Sequence, residues 1–412
     1  MAWSDPIVGL DIGTTRVCAI IGEYNENEEL EILGVGVSPS NGLRKGVVIN
    51  IEATQKSVLE AVEQAEQMAG REVETVVASI AGPHIEGINS RGVVAVNSKG
   101  REITQNDVDR VMEAARAVVL PMDREIIHLL PQEYLVDEQR GVKDPRDMIG
   151  VRLEAEVHLI TASITAAQNL IKCINRAGLK VSEMMYESLA ASRASLTPEE
   201  KEIGTLFINI GGGTTDIMLY LNGAPHYTSV LPLGGKEVSS DIAIILKIPF
   251  EEAEKIKIRD GFCLASMVEE GGEPVIIPGV GGRPPLSTDR NTICSYIQPR
   301  MTEIFEMIKK RVESEAGFTA WQSLGGVVLS GGGAMLPGTV ELAQSIFPTA
   351  VRMAEPFGVN GLSREVCRPD RSTAYGLVLQ GAQQALLQGP VIRDTRSRKG
   401  GGLKQWLRNF FE

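Results

Sequence analysis

The stretch GLDIGTTRVCAIIG, residues 9–22, decides the reading of the fold. An apolar run reaches Asp11, Gly13-Thr14-Thr15 interrupt it, and a second apolar run follows, which is the pattern of two strands joined by a tight loop. The pattern returns about 200 residues later, and such self-similarity predicts an internal repeat, each copy opening one half of the molecule. The second copy is INIGGGTTDIMLY, residues 208–220, with Gly211-Gly212-Gly213-Thr214-Thr215 at the turn and Asp216 opening the next strand. Around the copies, helical periods alternate with strand-like runs. Val58, Val62 and Ala65 recur at helical spacing within 53–69, and Leu170, Ile171 and Ile174 within 165–177. Strand-like runs occupy 75–80, 153–163 and 327–330, and alternation of this kind predicts an α/β fold.

Composition sets the outer bounds. At 412 residues, 43% hydrophobic and 23% charged, the chain has the make-up of a soluble globular protein of roughly two to four domains or subdomains. A formal charge of −12 repels phosphate backbones and excludes nucleic acid as a natural partner. Cys18, Cys173, Cys263, Cys294 and Cys367 form no C-x-x-C pair and read as buried free thiols of a reducing cytosol. The N-terminus lacks a basic segment followed by an apolar run, and no stretch approaches the ~18 apolar residues of a membrane span, so a cytoplasmic protein is expected. Charge is unevenly spread: residues 393–412 carry a net +4, leaving −16 on the rest.

Residues 84–162 have their own order of elements and read as an inserted α+β subdomain. A strand precedes Thr104-Gln-Asn-Asp107, a capping-box-like start, and a helix follows with Val108, Val111, Met112, Ala115 and Val119 facing inward, then more strand at 125–136. Residues 265–292 are rich in Gly and Pro and read as a loop or short-strand excursion, and 386–402 as a flexible linker ending in three glycines.

Three glycine-rich turns follow apolar strands: the two already quoted and Ser330-Gly331-Gly332-Gly333. Strand-end loops without bulky side chains let backbone N–H groups approach phosphate oxygens, and the hydroxyls of Thr14, Thr15, Thr214 and Thr215 add donors. If the two hairpins face each other across a cleft, Asp11 and Asp216 converge near a polyphosphate and supply the one or two carboxylates that a Mg²⁺ ion uses, often through water. The plainer alternative is that each Asp bonds its own turn. A P-loop is absent, because Gly235-Lys236 is followed by Glu237, and no G-x-G-x-x-G opens a helix after a strand. His84, His128, His158 and His226 stand apart from nucleophiles and from each other and read as structural.

Together these features resemble the actin, Hsp70 and sugar-kinase superfamily, whose phosphate-1, phosphate-2 and adenosine motifs occur in this order. The insertion at 84–162, GVGGRPP at 279–285, IQPRMTEIFEMI at 297–308, VVLSGGGAMLPG at 327–338 and the basic tail narrow the resemblance to the FtsA family of bacterial cell-division proteins, over essentially the whole chain. The resemblance implies an actin-like two-lobed fold. Its parts would be subdomain 1A at 1–83, 163–203 and 358–385, 1C at 84–162, 2A at 204–243 and 306–357, and 2B at 244–305.

It implies binding of ATP and Mg²⁺, self-assembly into filaments at the inner membrane, tethering of FtsZ through its C-terminal peptide, and contacts with later division proteins through 1C. By motif, Asp11, Gly13, Thr14 and Thr15 would belong to phosphate-1, Gly211, Gly212, Gly213, Thr214, Thr215 and Asp216 to phosphate-2, and Gly331, Gly332 and Gly333 to the adenosine motif. Gly235 and Lys236 in LGGKEVSSD, with Glu254 and Lys257 in EEAEKIK, match ribose and adenine contacts, while an ordinary amphipathic helix explains the last two equally well. Relatives that hydrolyse ATP briskly position water with a Glu-Pro pair; here Glu187 is followed by Ser188, so weak or no ATPase activity is expected. The family's peptide site implies Arg300, read as the start of a helix, as a grip for a short acidic and apolar segment.

The end of the chain adds an independent signal. In GLKQWLRNFFE, Leu403, Trp406, Leu407, Phe410 and Phe411 fall on one helical stripe with Lys404, Gln405, Arg408 and Asn409 opposite. Ten helical residues span roughly 15 Å, too short to cross a bilayer, so the segment is expected to lie in the interface of an anionic membrane. A small-molecule kinase of the same superfamily is the rival reading, and it has no use for such a detachable tail.

Overall fold

The computed structural model describes residues 6–96, 102–269, 271, 273–279, 281–282 and 284–388. The expected membrane stripe, Leu403 to Phe411, and all of the expected linker beyond Gln388 lie outside the described residues.

The chain opens with β1 (Ile7–Ile12), β2 (Arg16–Tyr24), β3 (Leu30–Pro39), the short β4 (Leu43–Arg44) and β5 (Val47–Val48), α1 (Ile51–Ala69) and β6 (Thr75–Ile80). The insertion follows as β7 (Glu86–Ala95), α2 (Gln105–Arg116), β8 (Arg124–Val136), β9 (Gln139–Val142) and β10 (Arg152–Ser163). Next come α3 (Ile164–Arg176), β11 (Lys180–Tyr186), α4 (Glu187–Ser195) and α5 (Pro198–Ile203). The second half holds β12 (Thr205–Ile210), β13 (Thr215–Leu221), β14 (Ala224–Leu231), α6 (Gly235–Leu246), α7 (Phe250–Asp260), β15 (Val275–Ile277), β16 (Leu286–Thr288), α8 (Arg290–Glu315), β17 (Gly326–Ser330), α9 (Thr339–Ile346) and β18 (Val351–Met353). The chain then runs through β19 (Asn360–Gly361), α10 (Ser363–Val366) and α11 (Ser372–Gln388). No helix among the described residues is long and apolar enough to cross a membrane.

These elements form two compact units. Of the described residues, unit 1 holds those up to Ala81, Ile164–Ala194 and those from Pro356 on; unit 2 holds those of Gly82–Ser163 and Ser195–Glu355.

Unit 1 is built on a six-stranded sheet of order β11-β6-β1-β2-β3-β19, in which β1, β2 and β3 are antiparallel and β6 is parallel to β1. Helix α1 forms where Asn50 caps it, its side chain accepting from the Ala53 N–H at 3.0 Å, and stops where Gly70 turns left-handed. Its Val58, Ala61, Val62 and Ala65 are buried, the stripe read from the sequence.

Unit 2 repeats the plan. Its five-stranded sheet has the order β14-β13-β12-β17-β18, with β12, β13 and β14 antiparallel and β17 parallel to β12. The expected repeat is therefore a repeat of topology: β12 and β13 correspond to β1 and β2. The core of unit 2 centres on an aromatic group in which Phe347 meets Phe305 edge-on at 6.0 Å between ring centroids and Trp321 at 5.4 Å.

The insertion is a four-stranded sheet, β7-β10-β8-β9, covered by α2. The Asp107 carboxylate accepts from the Thr104 N–H at 3.0 Å and from its hydroxyl at 2.7 Å, as the capping-box reading requires. Val108, Val111 and Ala115 are buried and Met112 packs against them, but the helix ends at Arg116 and Val119 is fully exposed, which corrects its inward assignment. The insertion sheet is joined to β14 by polar contacts. Asn89 donates to the His226 carbonyl at 3.0 Å, Gln132 to the Pro225 carbonyl at 2.8 Å, and the His158 Nε2 lies 2.8 Å from the Thr228 hydroxyl. Burial, and then the nearby His226, push the His158 pKa down to about 4, so this buried ring is neutral.

Helix α8 departs from the sequence reading. It starts at Arg290 behind the cap Asp289, whose side chain accepts from the Thr292 N–H at 2.7 Å, and Pro299 sits inside it. Arg300 is therefore in the middle of a helix and not at its start. The stripe Ile293, Ile297, Met301, Ile304, Ile308 and Val312 stays buried through the proline, and that packing holds the helix together across the break.

Candidate nucleotide site

In unit 1 the β1–β2 turn brings Asp11 and the Gly-Thr pair to one strand end. Asp11 pairs with Cys18 across the hairpin, and the Gly13 N–H donates to the Arg16 carbonyl at 3.0 Å. Asp11 is buried and its Oδ1 accepts from the Ser79 hydroxyl at 2.9 Å; the Ser79 Oγ in turn accepts from the Ile12 N–H at 2.9 Å. Burial raises the Asp11 pKa, and the Ser79 hydrogen bond and Arg16 oppose that rise. Thr14 accepts from the Gly46 N–H at 2.8 Å, whereas Thr15 is exposed.

Behind this hairpin lies a cluster that the sequence did not announce. Asp370, at the entrance to α11, receives the Arg16 Nη1, with the Arg16 Nη2 2.6 Å from its carbonyl oxygen, and also faces Arg368 at 3.0 Å and Arg371 at 3.3 Å. Burial alone would raise its pKa; Arg16, Arg371 and Arg368 outweigh burial and hold it below the usual carboxylate value.

In unit 2 the corresponding turn is braced by backbone. The Gly211 N–H closes on the Thr214 carbonyl at 2.9 Å, the Gly235 N–H on the Gly211 carbonyl at 2.9 Å, and the Lys236 N–H on the Gly212 carbonyl at 2.8 Å. The Thr215 hydroxyl donates to the Leu233 carbonyl at 2.9 Å. The first turn of α6 is thus laid directly against Gly211–Thr215, its Gly235 and Lys236 N–H groups spent on that turn, so what the helix adds there is the positive end of its dipole. Only glycine fits at 234, where a Cβ would stand 2.6 Å from the Gly211 carbonyl oxygen. Asp216 and Thr215 are fully buried at this turn.

The third glycine turn meets the same place. Gly331 has φ +86° and a Cβ there would lie 2.4 Å from the Ile210 carbonyl oxygen, while a Cβ on Gly235 would reach the Gly333 Cα at 4.0 Å. From α7, the Lys257 ammonium donates to the Gly235 carbonyl at 2.9 Å and to Glu254 at 2.7 Å, and Ser239 donates to the same Glu254 oxygen. Lys257 is buried, so these two residues are not a solvated amphipathic face. Burial pulls the Lys236 pKa down, against Glu254 and Glu237.

Unit 2 therefore gathers Gly211–Asp216, Gly235, Lys236, Glu254, Lys257 and Gly331–Gly333, while Asp11, Gly13, Thr14 and Thr15 share the unit 1 hairpin. Glu187 is the first residue of α4, followed by the buried Ser188. Sequence reasoning missed Ser79, Ser239 and Asp370. Ser79 is the penultimate residue of an apolar strand and Ser239 lies two residues past Glu237, both too common to signal a role, and Asp370 is 354 residues from Arg16.

Each hairpin carries one carboxylate, Asp11 in unit 1 and Asp216 in unit 2, and among the described residues no group of three or more His, Cys, Asp or Glu could cage a metal. Each is a buried hard oxygen donor of the kind Mg²⁺ takes one or two of, completing its shell with water and phosphate oxygens.

Arg300 stands apart from these turns. Its Nε and Nη2 grip Asp241 at 2.7 and 3.1 Å and its Nη1 contacts Glu303, so the guanidinium is already bound on two sides. The Asp241 hydrogen bond raises its pKa further.

Two three-stranded antiparallel ribbons, each flanked by a parallel strand and each opening on a Gly-Thr hairpin with an Asp, define an actin-like fold. Solved structures agree. The chain is similar to PilM in a PilM–PilN type IV pilus biogenesis complex (TM-score 0.66, 18% identity, 91% of this chain and 98% of that one) and to MreB5 of Spiroplasma citri bound to ADP (TM-score 0.52, 15% identity, 92% and 96%). Curated relatives are nearer. The chain is 48% identical to the cell division protein FtsA of Borreliella burgdorferi over 97% of its length and 99% of the relative's, 43% identical to FtsA of Pseudomonas aeruginosa (92% and 89%), and 38% identical to FtsA of Escherichia coli K12 (98% and 98%). Family models for the SHS2 domain inserted in FtsA match residues 82–161 and for cell division protein FtsA residues 206–376. The chain belongs to the FtsA family of cell-division proteins.

Proposed function

We propose that this FtsA-family chain binds ATP with Mg²⁺, assembles on the cytoplasmic face of the cell membrane at the division septum and tethers FtsZ filaments there. The observation that carries the nucleotide part is the meeting of two glycine turns, Gly211–Gly213 and Gly331–Gly333, with the α6 N-terminus in unit 2, next to the Lys257–Glu254 pair. On this reading Gly211–Thr215 take phosphate oxygens beside the positive end of α6, and Glu254 and Lys257 face the ribose and base. Asp11 and Asp216 orient water on Mg²⁺, and the ion neutralises phosphate charge. The related MreB5 fold was solved with ADP, which supports nucleotide as the ligand class. Glu187, without a following proline, serves at most slow hydrolysis.

The same reading assigns subdomains 1A, 1C, 2A and 2B as drawn from the sequence, the stripe Leu403, Trp406, Leu407, Phe410 and Phe411 to anionic lipid, the FtsZ C-terminal peptide to 2B around Arg300, and later division proteins to 1C. Self-assembly follows from family membership in general. Co-sedimentation with anionic vesicles, with and without ATP and with and without residues 403–412, tests it. The full chain is expected to pellet and the shortened chain to stay in solution while still binding ATP; equal pelleting of both removes the tail as anchor.

A further inference from the structure

Between β3 and α1 the chain makes a short hairpin, β4 and β5, that is fastened to the β1–β2 turn at two points. The Ser40 N–H donates to the Thr15 carbonyl at 3.0 Å, and the Gly46 N–H donates to the Thr14 hydroxyl oxygen at 2.8 Å. At the foot of the hairpin the Gly42 carbonyl accepts from the Ile49 and Asn50 N–H groups at 2.9 and 3.1 Å, and a Cβ on Gly42 would stand 2.1 Å from the Thr54 hydroxyl oxygen. The hairpin is thus held both from the start of α1 and from Gly13–Thr15, and all of these residues belong to unit 1.

Arg44 pairs with Val47 across this hairpin, so Lys45 and Gly46 form a two-residue turn, with φ +50° and +77°. Positive φ at both positions is the type I′ turn, for which Asn-Gly or Asp-Gly is the favoured pair. A lysine there carries the left-handed backbone without the local hydrogen bonds that help asparagine to adopt it, and a residue kept against such a cost points to a role beyond the turn. Among the described residues the Lys45 ammonium makes no hydrogen bond and no ion pair. Its four-carbon stem springs one peptide unit from the N–H that Thr14 accepts. Arg16, the cation of the β1–β2 turn itself, is held by Asp370. Lys45 therefore supplies an uncommitted positive charge beside Gly13–Thr15.

On the nucleotide reading above, ribose and base belong to Glu254 and Lys257 of unit 2, which leaves the phosphate end of the ligand for the unit 1 hairpin. We propose that Lys45 binds an oxygen of the terminal phosphate there, so that the β4–β5 hairpin makes the site select a nucleoside triphosphate over a diphosphate. An ammonium is a compact point charge with three donors, suited to phosphate oxygens. A diphosphate lacks the group that Lys45 takes, so the contact forms with the triphosphate alone. The inference rests on the reading that Gly13–Thr15 meet the phosphates of a nucleotide, and it names how that site counts them.

The test titrates ATP and ADP, each with Mg²⁺, into the full chain and two variants by calorimetry. Lys45→Asn removes the charge and puts the favoured residue in the turn. It is expected to keep or raise the melting temperature, to weaken ATP about tenfold, the size of one hydrogen bond to a charged group, and to leave ADP affinity as it was. Loss of structure does not produce that combination. Arg44→Gln removes the neighbouring cation and is expected to leave both affinities unchanged. Unchanged ATP affinity in Lys45→Asn, equal losses of ATP and ADP in it, or the same ATP loss in Arg44→Gln overturns the proposal. The parent separates the two levels: if it binds neither nucleotide, the underlying reading fails, whereas a parent that binds both and a Lys45→Asn protein that matches it leave that reading standing and sink this one.

Discussion

The two Gly-Thr hairpins share one register and are held in place by different physics. In unit 2 the turn is fixed by backbone: Gly211 and Gly212 carbonyls accept from the first N–H groups of α6, and Gly234 and Gly331 let main chains touch where any side chain would collide. In unit 1 the turn is fixed by side chains, through Ser79 on Asp11 and through Arg16 on the buried Asp370, which it shares with two more arginines. A backbone brace is insensitive to charge and intolerant of volume; a side-chain brace is the reverse. One repeated topology thus yields one hairpin braced by charged side chains and one braced by main chain.

The largest expected effect is on the ionic brace. Asp370→Asn leaves three guanidiniums without their shared carboxylate, and breaking a buried pair from one side costs about 3–5 kcal/mol. Urea unfolding measures it, and a loss below about 1 kcal/mol, the range of exposed pairs, would mean that the cluster is solvated in effect. Acid sharpens the same point. Because the Asp370 pKa is lowered in the folded state, its contribution is complete above the ordinary carboxylate value of about 4 and fades as pH falls below that toward the lowered value. Parent and variant stabilities are expected to converge on acidification; a constant gap would break the comparison.

Gly331→Ala comes next, at about 2–3 kcal/mol, from a positive φ and a Cβ 2.4 Å from a backbone oxygen. This loss should not depend on pH between about 3 and 7, the span in which carboxylates titrate, since no charge is involved. Denaturant midpoints across that range check it. Ser79→Ala is smallest, about 1 kcal/mol for one buried hydrogen bond.

The contrast also explains what the sequence disclosed. Glycine turns are local signals: Gly13-Thr14-Thr15 and Gly211–Thr215 sit between apolar strands, and their repetition predicts both the fold and the turn residues that unit 2 brings together. Ion pairs between distant elements leave no local trace, and nothing in CRPDRS at 367–372 points to Arg16. Pro299 misled for a third reason. Proline suits the first turn of a helix, so the sequence reading started α8 there, whereas its buried stripe, which begins at Ile293, carries the helix through. Val119 failed because periodicity continues in a sequence after the hydrogen-bonded helix has ended at Arg116.

If both hairpins serve one nucleotide, each carboxylate must contribute to the metal-dependent part of ATP affinity despite their unlike supports. Calorimetric titration of ATP into the parent, Asp11→Asn and Asp216→Asn, each with and without Mg²⁺, tests this most directly. The expected result is that Mg²⁺ tightens ATP binding to the parent, that this increment is lost in each variant, and that metal-free binding persists in both. A folded Asp11→Asn or Asp216→Asn protein with the parent's full Mg²⁺ increment would contradict it.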